Sequence, residues 1–281
     1  RRAMSELLSV LLALKPLPQA SPRAVTWWGR ATHALFLQAI AQRDAELANQ
    51  LHDAGQLHPF SVSNLLGRFG RRGELQPDQV YAVRLTACRA DVCQALLNAL
   101  EPGGLLSEGS QVELDYQPFE VRPLGELPPE LSQWRSQADY STLASPYLLA
   151  AQPPPRRLRL QFASPTTFKS NEQHLPLPLP RLVFGNLLER WNAVAPLAFP
   201  PELQRYIDQC LTLNRYDLRT RAVTLKEGLL RVGMVGWAEF ATLNYDRYWM
   251  SLIATLARFA RYSGVGAGVS LGLGQMRWLE G

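Results

Sequence analysis

Cysteine is scarce, lysine is nearly missing and long apolar runs are absent, and each shortage removes a class of protein. The three cysteines, Cys88, Cys93 and Cys210, cannot all pair and contain no C-x-x-C, so neither a disulfide framework nor a cysteine zinc site is expected. That usage suits a reducing compartment, and a cytoplasmic protein is expected. No run reaches the roughly 18 apolar residues needed to span a bilayer, and the longest candidate, Leu252 to Ala260, is interrupted by Arg258. A soluble chain without a membrane partner is expected. The opening Arg1-Arg2-Ala3-Met4-Ser5 does not lead into a signal-peptide core, and a first residue other than methionine is what a trimmed or excised piece of a longer chain shows. No G-x-S-x-G elbow supports serine hydrolase chemistry, and no His, Cys, Asp or Glu trio has metal-ligand spacing. Neither a metal nor a cofactor is expected.

What remains is a globular composition: 281 residues, 47% hydrophobic and 19% charged, enough for one large or two ordinary domains and not for a disordered chain. Of 29 Lys and Arg only Lys15, Lys169 and Lys226 are lysines, so the net charge of +5 is carried by arginine, whose planar fork suits phosphate and base stacking. The balance leans toward an anionic partner.

Along the chain, Leu7 to Pro16 reads as a buried strand, and Trp27 to Ala54 has helical spacing with a break at Arg43-Asp44, where Asp44 can cap, and a stop at Gly55. Pro59 to Ser63 reads as a short strand, Gly67 to Gly73 as an arginine and glycine loop projecting into solvent, and Val80 to Thr86 as a strand. Asp91 to Leu100 reads as a helix and Val112 to Val121 as a strand. Beyond the Pro-rich stretch from Pro123 to Pro155, Leu158 to Phe162 reads as a strand and Leu182 to Val194 as a helix. Tyr216 to Thr224 and Leu229 to Leu243 follow as strands, Tyr245 to Tyr262 as a helix and Gly274 to Leu279 as a strand. Each half has the order strand, helix, strand, strand, helix, strand. The expected fold is α+β, two ferredoxin-like domains in tandem, each a four-stranded antiparallel sheet backed by two helices. The domains are expected at 1–127 and 156–281, joined by a Pro-rich linker at 128–155.

Five glycines crowd into eleven residues between the last helix and the last strand: Gly264, Gly266, Gly268, Gly272 and Gly274. The spacing fails as a dinucleotide fingerprint, because no third glycine falls in place and no strand leads in. It offers bare backbone able to take positive φ and lie against a phosphate chain, with Arg258, Arg261 and Arg277 on its flanks. The alternative is a helix cap followed by a packed turn. Arg68, Arg71 and Arg72, and the row Arg215, Arg219, Arg221, Lys226 and Arg231, are further phosphate candidates or else a solvated face; Tyr216, Trp237, Tyr245 and Trp249 are candidates for base stacking, with Trp249 at the helical spacing of a core residue.

The pattern glycine, apolar, glycine, five residues, glycine, apolar, glycine, filled by Gly264, Val265, Gly266, Gly272, Leu273 and Gly274, resembles the C-terminal signature of the CRISPR-associated Cas6 endoribonucleases of the repeat-associated mysterious protein superfamily. Thr32 to Leu37, Glu46 to Asp53 and Pro59 to Ser63 are similar to that family's first helix and following strand. The resemblance implies metal-independent cleavage of precursor CRISPR RNA within its repeats, leaving a 2′,3′-cyclic phosphate and a 5′-hydroxyl. It implies repeat RNA as partner, with CRISPR effector subunits or a fused C-terminal domain beside it. A non-catalytic RNA-holding subunit and a protein-contact adaptor are the rival readings.

Such a reaction needs a base, an acid and a cation, and only His33, His52, His58 and His174 could move protons near neutral pH. The resemblance places the catalytic histidine at His52, where Gly55 also ends the helix; the alternative is a helix-terminal histidine that serves as a cap. His58 stands where some relatives carry lysine, and is read either as the acid partner or as a loop histidine beside Pro59 with no role. Leu37 stands where some relatives carry tyrosine. His33, near the apolar face of its helix, is expected to be a core or helix-start residue and is the reserve catalyst. His174, in the Asn171 to Pro180 loop, is expected to be solvated.

Overall fold

The computed structural model describes residues 5–20, 25–53, 55, 57–149, 153–225 and 228–280. The chain forms two compact units, Arg1–Gln137 with Thr224–Leu229 and Ser270–Gly272, and Ala138–Val223 with Leu230–Val269 and Leu273–Gly281.

In the first unit the apolar run Leu7–Pro16 is β1, buried on both faces at the centre of its sheet. It is followed by α1 (Gly29–Ala41), α2 (Ala45–His52), β2 (Phe60–Val62), β3 (Tyr81–Ala87), α3 (Ala90–Leu100), β4 (Gln111–Leu114) and β5 (Gln117–Arg122). The sheet order is β2-β3-β1-β5-β4, with antiparallel neighbours, as a ferredoxin-like domain requires. Leu35, Phe36, Ala39 and Ile40 of α1 and Leu47, Ala48 and Leu51 of α2 join Val83 and Leu85 of β3 in one core.

The break expected at Arg43-Asp44 separates two helices. Asp44 accepts a hydrogen bond from the Leu47 N–H at 2.8 Å and caps α2. Asp44→Ala should lower stability by about 1 kcal/mol, read as a fall in the thermal midpoint; an unchanged midpoint would mean that the cap contributes nothing.

The expected single strand from Val112 to Val121 is a hairpin. Asp115 (φ 47°) and Tyr116 (φ 61°) form a two-residue turn with both φ positive, a geometry usually marked by glycine, which is missing here. The expected linker at 128–155 is largely structured. It holds β6 (Ser136–Ala138), which pairs with β1, and α4 (Tyr140–Leu148), capped by the Asp139 carboxylate on the Thr142 N–H; Trp134, Tyr140 and Leu143 are buried. Prolines punctuate this stretch without preventing it from burying aromatic rings.

The second unit continues with β7 (Arg157–Thr166), the hairpin β8 (Phe168–Ser170) and β9 (Gln173–Leu175), α5 (Pro180–Val194) and α6 (Glu202–Cys210). Then come β10 (Leu211–Thr224), β11 (Leu230–Thr242), α7 (Arg247–Ser263) and β12 (Met276–Trp278). Its four-stranded sheet runs β10-β11-β7-β12, the same ferredoxin-like arrangement. Phe184 of α5 meets Phe240 of β11 edge to face at 5.1 Å, tying helix to sheet in the core. The β8–β9 hairpin replaces the expected loop and turns through Asn171 and Glu172, again at positive φ without glycine, and it carries the half-buried His174. No helix among the described residues is long and apolar enough to cross a membrane.

Candidate active site

The site begins at the first turn of α1. The Trp28 N–H, just before that helix, donates to the Asn64 side-chain oxygen at 2.6 Å, so a residue just after β2 holds the entry to the helix. The indole N–H of Trp27 donates to the Leu271 carbonyl at 2.7 Å, and a Cβ on Gly29 would overlap that carbonyl. Residues 270–272 therefore lie tightly against the start of α1. One residue after the fully buried Thr32, His33 turns to the helix edge, and its Nδ1 lies 2.9 Å from the Ser270 carbonyl oxygen. A carbonyl only accepts, so Nδ1 carries the hydrogen and Nε2 of the neutral ring keeps its lone pair.

His52 is the last, exposed residue of α2, and the half-buried His58 immediately precedes Pro59 and β2. Both rings face His33, at centroid distances of 6.5 Å and 6.2 Å. Phe60 forms the floor, 5.6 Å from His33 and 5.2 Å from His58, and is itself stacked on Phe36 at 4.3 Å. All three candidate histidines thus come together, and the reserve candidate His33 occupies the middle. Helical periodicity assigned it to the core; instead Thr32 takes the core position and His33 faces the cluster. Burial lowers the His33 pKa below its ordinary 6.5; the Ser270 carbonyl raises it and a charge on His52 lowers it again. At neutral pH His33 is uncharged, and its ring is oriented by the Ser270 carbonyl. Leu37 is half-buried and brings no hydroxyl to this cluster.

The glycine segment packs closely within the protein, as the cap-and-turn alternative expects. Gly264, Gly266, Gly268, Gly272 and Gly274 all have φ between 64° and 89°. A Cβ on each would press on neighbours in the protein: Val269 for Gly264, Thr167 for Gly266, Leu273 for Gly268, Asn64 for Gly272 and Val265 for Gly274. The N–H groups of 264 to 267 and of 273 to 275 donate to Ala260, Gly274, Asn186, Thr167, Gly268, Pro165 and Ser164 in turn, all within the protein. The glycines provide close packing, and the carbonyls of Ser270 and Leu271 at the tip position His33 and Trp27.

The flanking arginines divide. Arg258 donates to the Leu143 carbonyl at 2.9 Å and lies 3.6 Å from Glu280, so it braces α4 and α7. Arg277, on β12, donates to Gln161 at 2.7 Å, and burial and Arg261 both lower its pKa. Arg68, Arg71, Arg72, Arg215, Arg219 and Arg221 are exposed and Arg231 is half-buried, while Lys226 lies outside the described residues. Of the stacking candidates, Tyr216 is exposed, Trp237 carries the Arg159 guanidinium at 4.4 Å, Tyr245 that of Arg156 at 4.5 Å, and Trp249 packs on Tyr206. The sequence reading missed Trp27, Asn64 and Ser270. Nothing in their local sequence marks them.

Residues 7–84 match the CRISPR Cas6 N-terminal domain and residues 160–276 match the CRISPR-associated endoribonuclease Cas6. The chain belongs to the Cas6 family. It is 33% identical over 129 residues to the CRISPR-associated endoribonuclease Cas6 of Mycobacterium tuberculosis; the match covers 45% of this chain and 40% of that relative, so it spans less than half of the relative's length. Among solved structures it is similar to a Cas6 product complex (28% identity, TM-score 0.75, 98% of this chain and 99% of that one). It is also similar to a Cas6 substrate mimic complex (27%, TM-score 0.72, 98% and 100%). Thermus thermophilus Cas6 shares the fold at 22% identity and a TM-score of 0.71, over 99% and 100% of the two chains.

Proposed function

We propose that this chain is an endoribonuclease that matures CRISPR RNA by cleaving precursor transcripts within their repeats without a metal. The observation that carries the reading is the His33 cluster, in which an imidazole oriented by the Ser270 carbonyl keeps Nε2 as a base while His52 and His58 face it. His33 takes the proton of the 2′-hydroxyl as that oxygen attacks the adjoining phosphorus. The bond from phosphorus to the 5′-oxygen breaks, and the exposed His52 returns a proton to the leaving oxygen. His58 donates to the phosphorane, whose charge is greatest midway through the reaction. The products are a 2′,3′-cyclic phosphate and a 5′-hydroxyl.

Phosphate contacts outside this centre fall to arginines: Arg68, Arg71 and Arg72 in the exposed loop, and Arg261 and Arg277 beside the glycine segment. The names of the solved relatives, a product complex and a substrate mimic complex, support a substrate bound on this fold, and the endoribonuclease named among the relatives supports RNA as that substrate. The work belongs in the cytoplasm, where the transcript is made, and CRISPR effector subunits receive the product. Purified protein incubated with repeat RNA in EDTA should give one cut per repeat with a cyclic phosphate end. Binding without cleavage would instead assign the RNA-holding role, and neither would assign a protein-contact role.

A further inference from the structure

A groove of about 520 Å³ in the first unit is lined by Trp27, Arg30, Ala34 and Gln38 on one side and by Glu113, Asp115 and Tyr116 on the other, with Thr224 and Leu225 beside them. Its volume is that of a small-ligand site. Arg30, Ala34 and Gln38 recur every four residues along α1, and Arg30 precedes His33 by three, about 4.5 Å along the helix axis. Trp27 belongs to both places, lining the groove and holding the Leu271 carbonyl next to Ser270. The groove therefore opens within one helical turn of the proposed base.

Its far wall has the least expected side chain in the unit. Tyr116 occupies a left-handed turn position (φ 61°) that glycine fits best, and its side chain does no packing, since the residue is 82% exposed. Neither folding nor burial accounts for an aromatic ring there. Arg30, Glu113 and Asp115 make no ion pair among the described residues, so three charges stand at the groove uncompensated by one another. The two carboxylates repel phosphate and accept hydrogen bonds only. An RNA strand would then run its backbone along Arg30 and turn its base toward Tyr116 and the acids. Carboxylates select bases by their donors, and guanine alone offers an imino N–H and an amino group side by side, matching both oxygens of one carboxylate.

Resting on the nuclease reading, we propose that this groove binds a guanine of the RNA strand beside the cleaved phosphate, stacked on Tyr116 and held by Glu113 or Asp115. The test uses fluorescently labelled single-stranded hexamers, (GU)3, A6, C6 and U6, with the parent, Tyr116→Gly and the double variant Glu113→Gln/Asp115→Asn. The parent should bind (GU)3 best. Tyr116→Gly should weaken binding about 5- to 150-fold, the reduction expected for one stacked base, while its thermal midpoint rises because the turn is relieved. The double variant should erase the guanine preference and leave U6 affinity at or above the parent's. A parent without guanine preference, a Tyr116→Gly protein that binds like the parent, or a double variant that keeps the preference would overturn the proposal. Cleavage of repeat RNA is scored separately: an active parent with any of those outcomes sinks the groove alone, and an inactive parent with the expected binding pattern sinks the nuclease reading alone.

Discussion

His33→Ala is expected to slow single-turnover cleavage of repeat RNA by about 100-fold to 10,000-fold while leaving RNA affinity near the parent value, because it removes a proton acceptor and no phosphate contact. His33→Asn sharpens the test. Its amide can still donate to the Ser270 carbonyl, so the 270–272 tip stays in place, yet it has no basic nitrogen, and it should be as slow as alanine. The pH dependence follows from the direction of the His33 shift. A base must be neutral to act, and burial holds the folded pKa below 6.5, so cleavage should persist as the pH falls to 6.5 and decline only below it. The same shift bears on stability. The unfolded chain takes up the proton first, so this contribution is complete above the unfolded pKa near 6.5 and is lost as pH falls through the lower folded value. Full activity in His33→Ala with none in His52→Ala would return the base role to His52.

Much of this arrangement was legible. The alternating and helical runs place two ferredoxin-like units in order, and the Leu51-His52 and His58-Pro59 steps point to the end of the second helix and the start of the next strand. The misreadings have physical causes. Two hairpins turn at Asp115-Tyr116 and Asn171-Glu172, where non-glycine residues adopt positive φ, so the local turn signal is missing. α4 lies in a proline-rich stretch and depends on its buried Tyr140 and Leu143 rather than on propensity. Helical periodicity puts both Thr32 and His33 close to the core stripe, and only tertiary packing decides that Thr32 is buried while His33 reaches Ser270, 237 residues later in the chain. The glycine pattern was visible, and positive φ serves a phosphate contact and a packed turn equally well, so it left both readings open. The neighbours that distinguish the two, Thr167, Asn64 and the first turn of α1, come from distant parts of the sequence.

That difference makes Gly272→Ala informative. The residue has φ 89°, and a Cβ there would lie 2.9 Å from the Asn64 N, 3.2 Å from the Trp27 ring and 3.3 Å from the Gly29 Cα. These neighbours are backbone and a buried indole, so the tip must yield, carrying the Ser270 and Leu271 carbonyls away from His33 and Trp27. The left-handed conformation adds about 1–2 kcal/mol against an L side chain. A displacement of about 1 Å at a catalytic group can cost on the order of 100-fold in rate, and Gly272→Ala should slow single-turnover cleavage by that much. Its RNA affinity should stay close to the parent's at every salt concentration, and the downfield proton resonance of the His33 Nδ1–H should shift or vanish. If the segment were a phosphate cradle, the result would be reversed. Affinity would fall, the salt dependence would flatten by a log–log slope of about 0.7 for each single-stranded phosphate that the segment ceased to neutralise, and the rate at saturation and the imidazole resonance would be those of the parent.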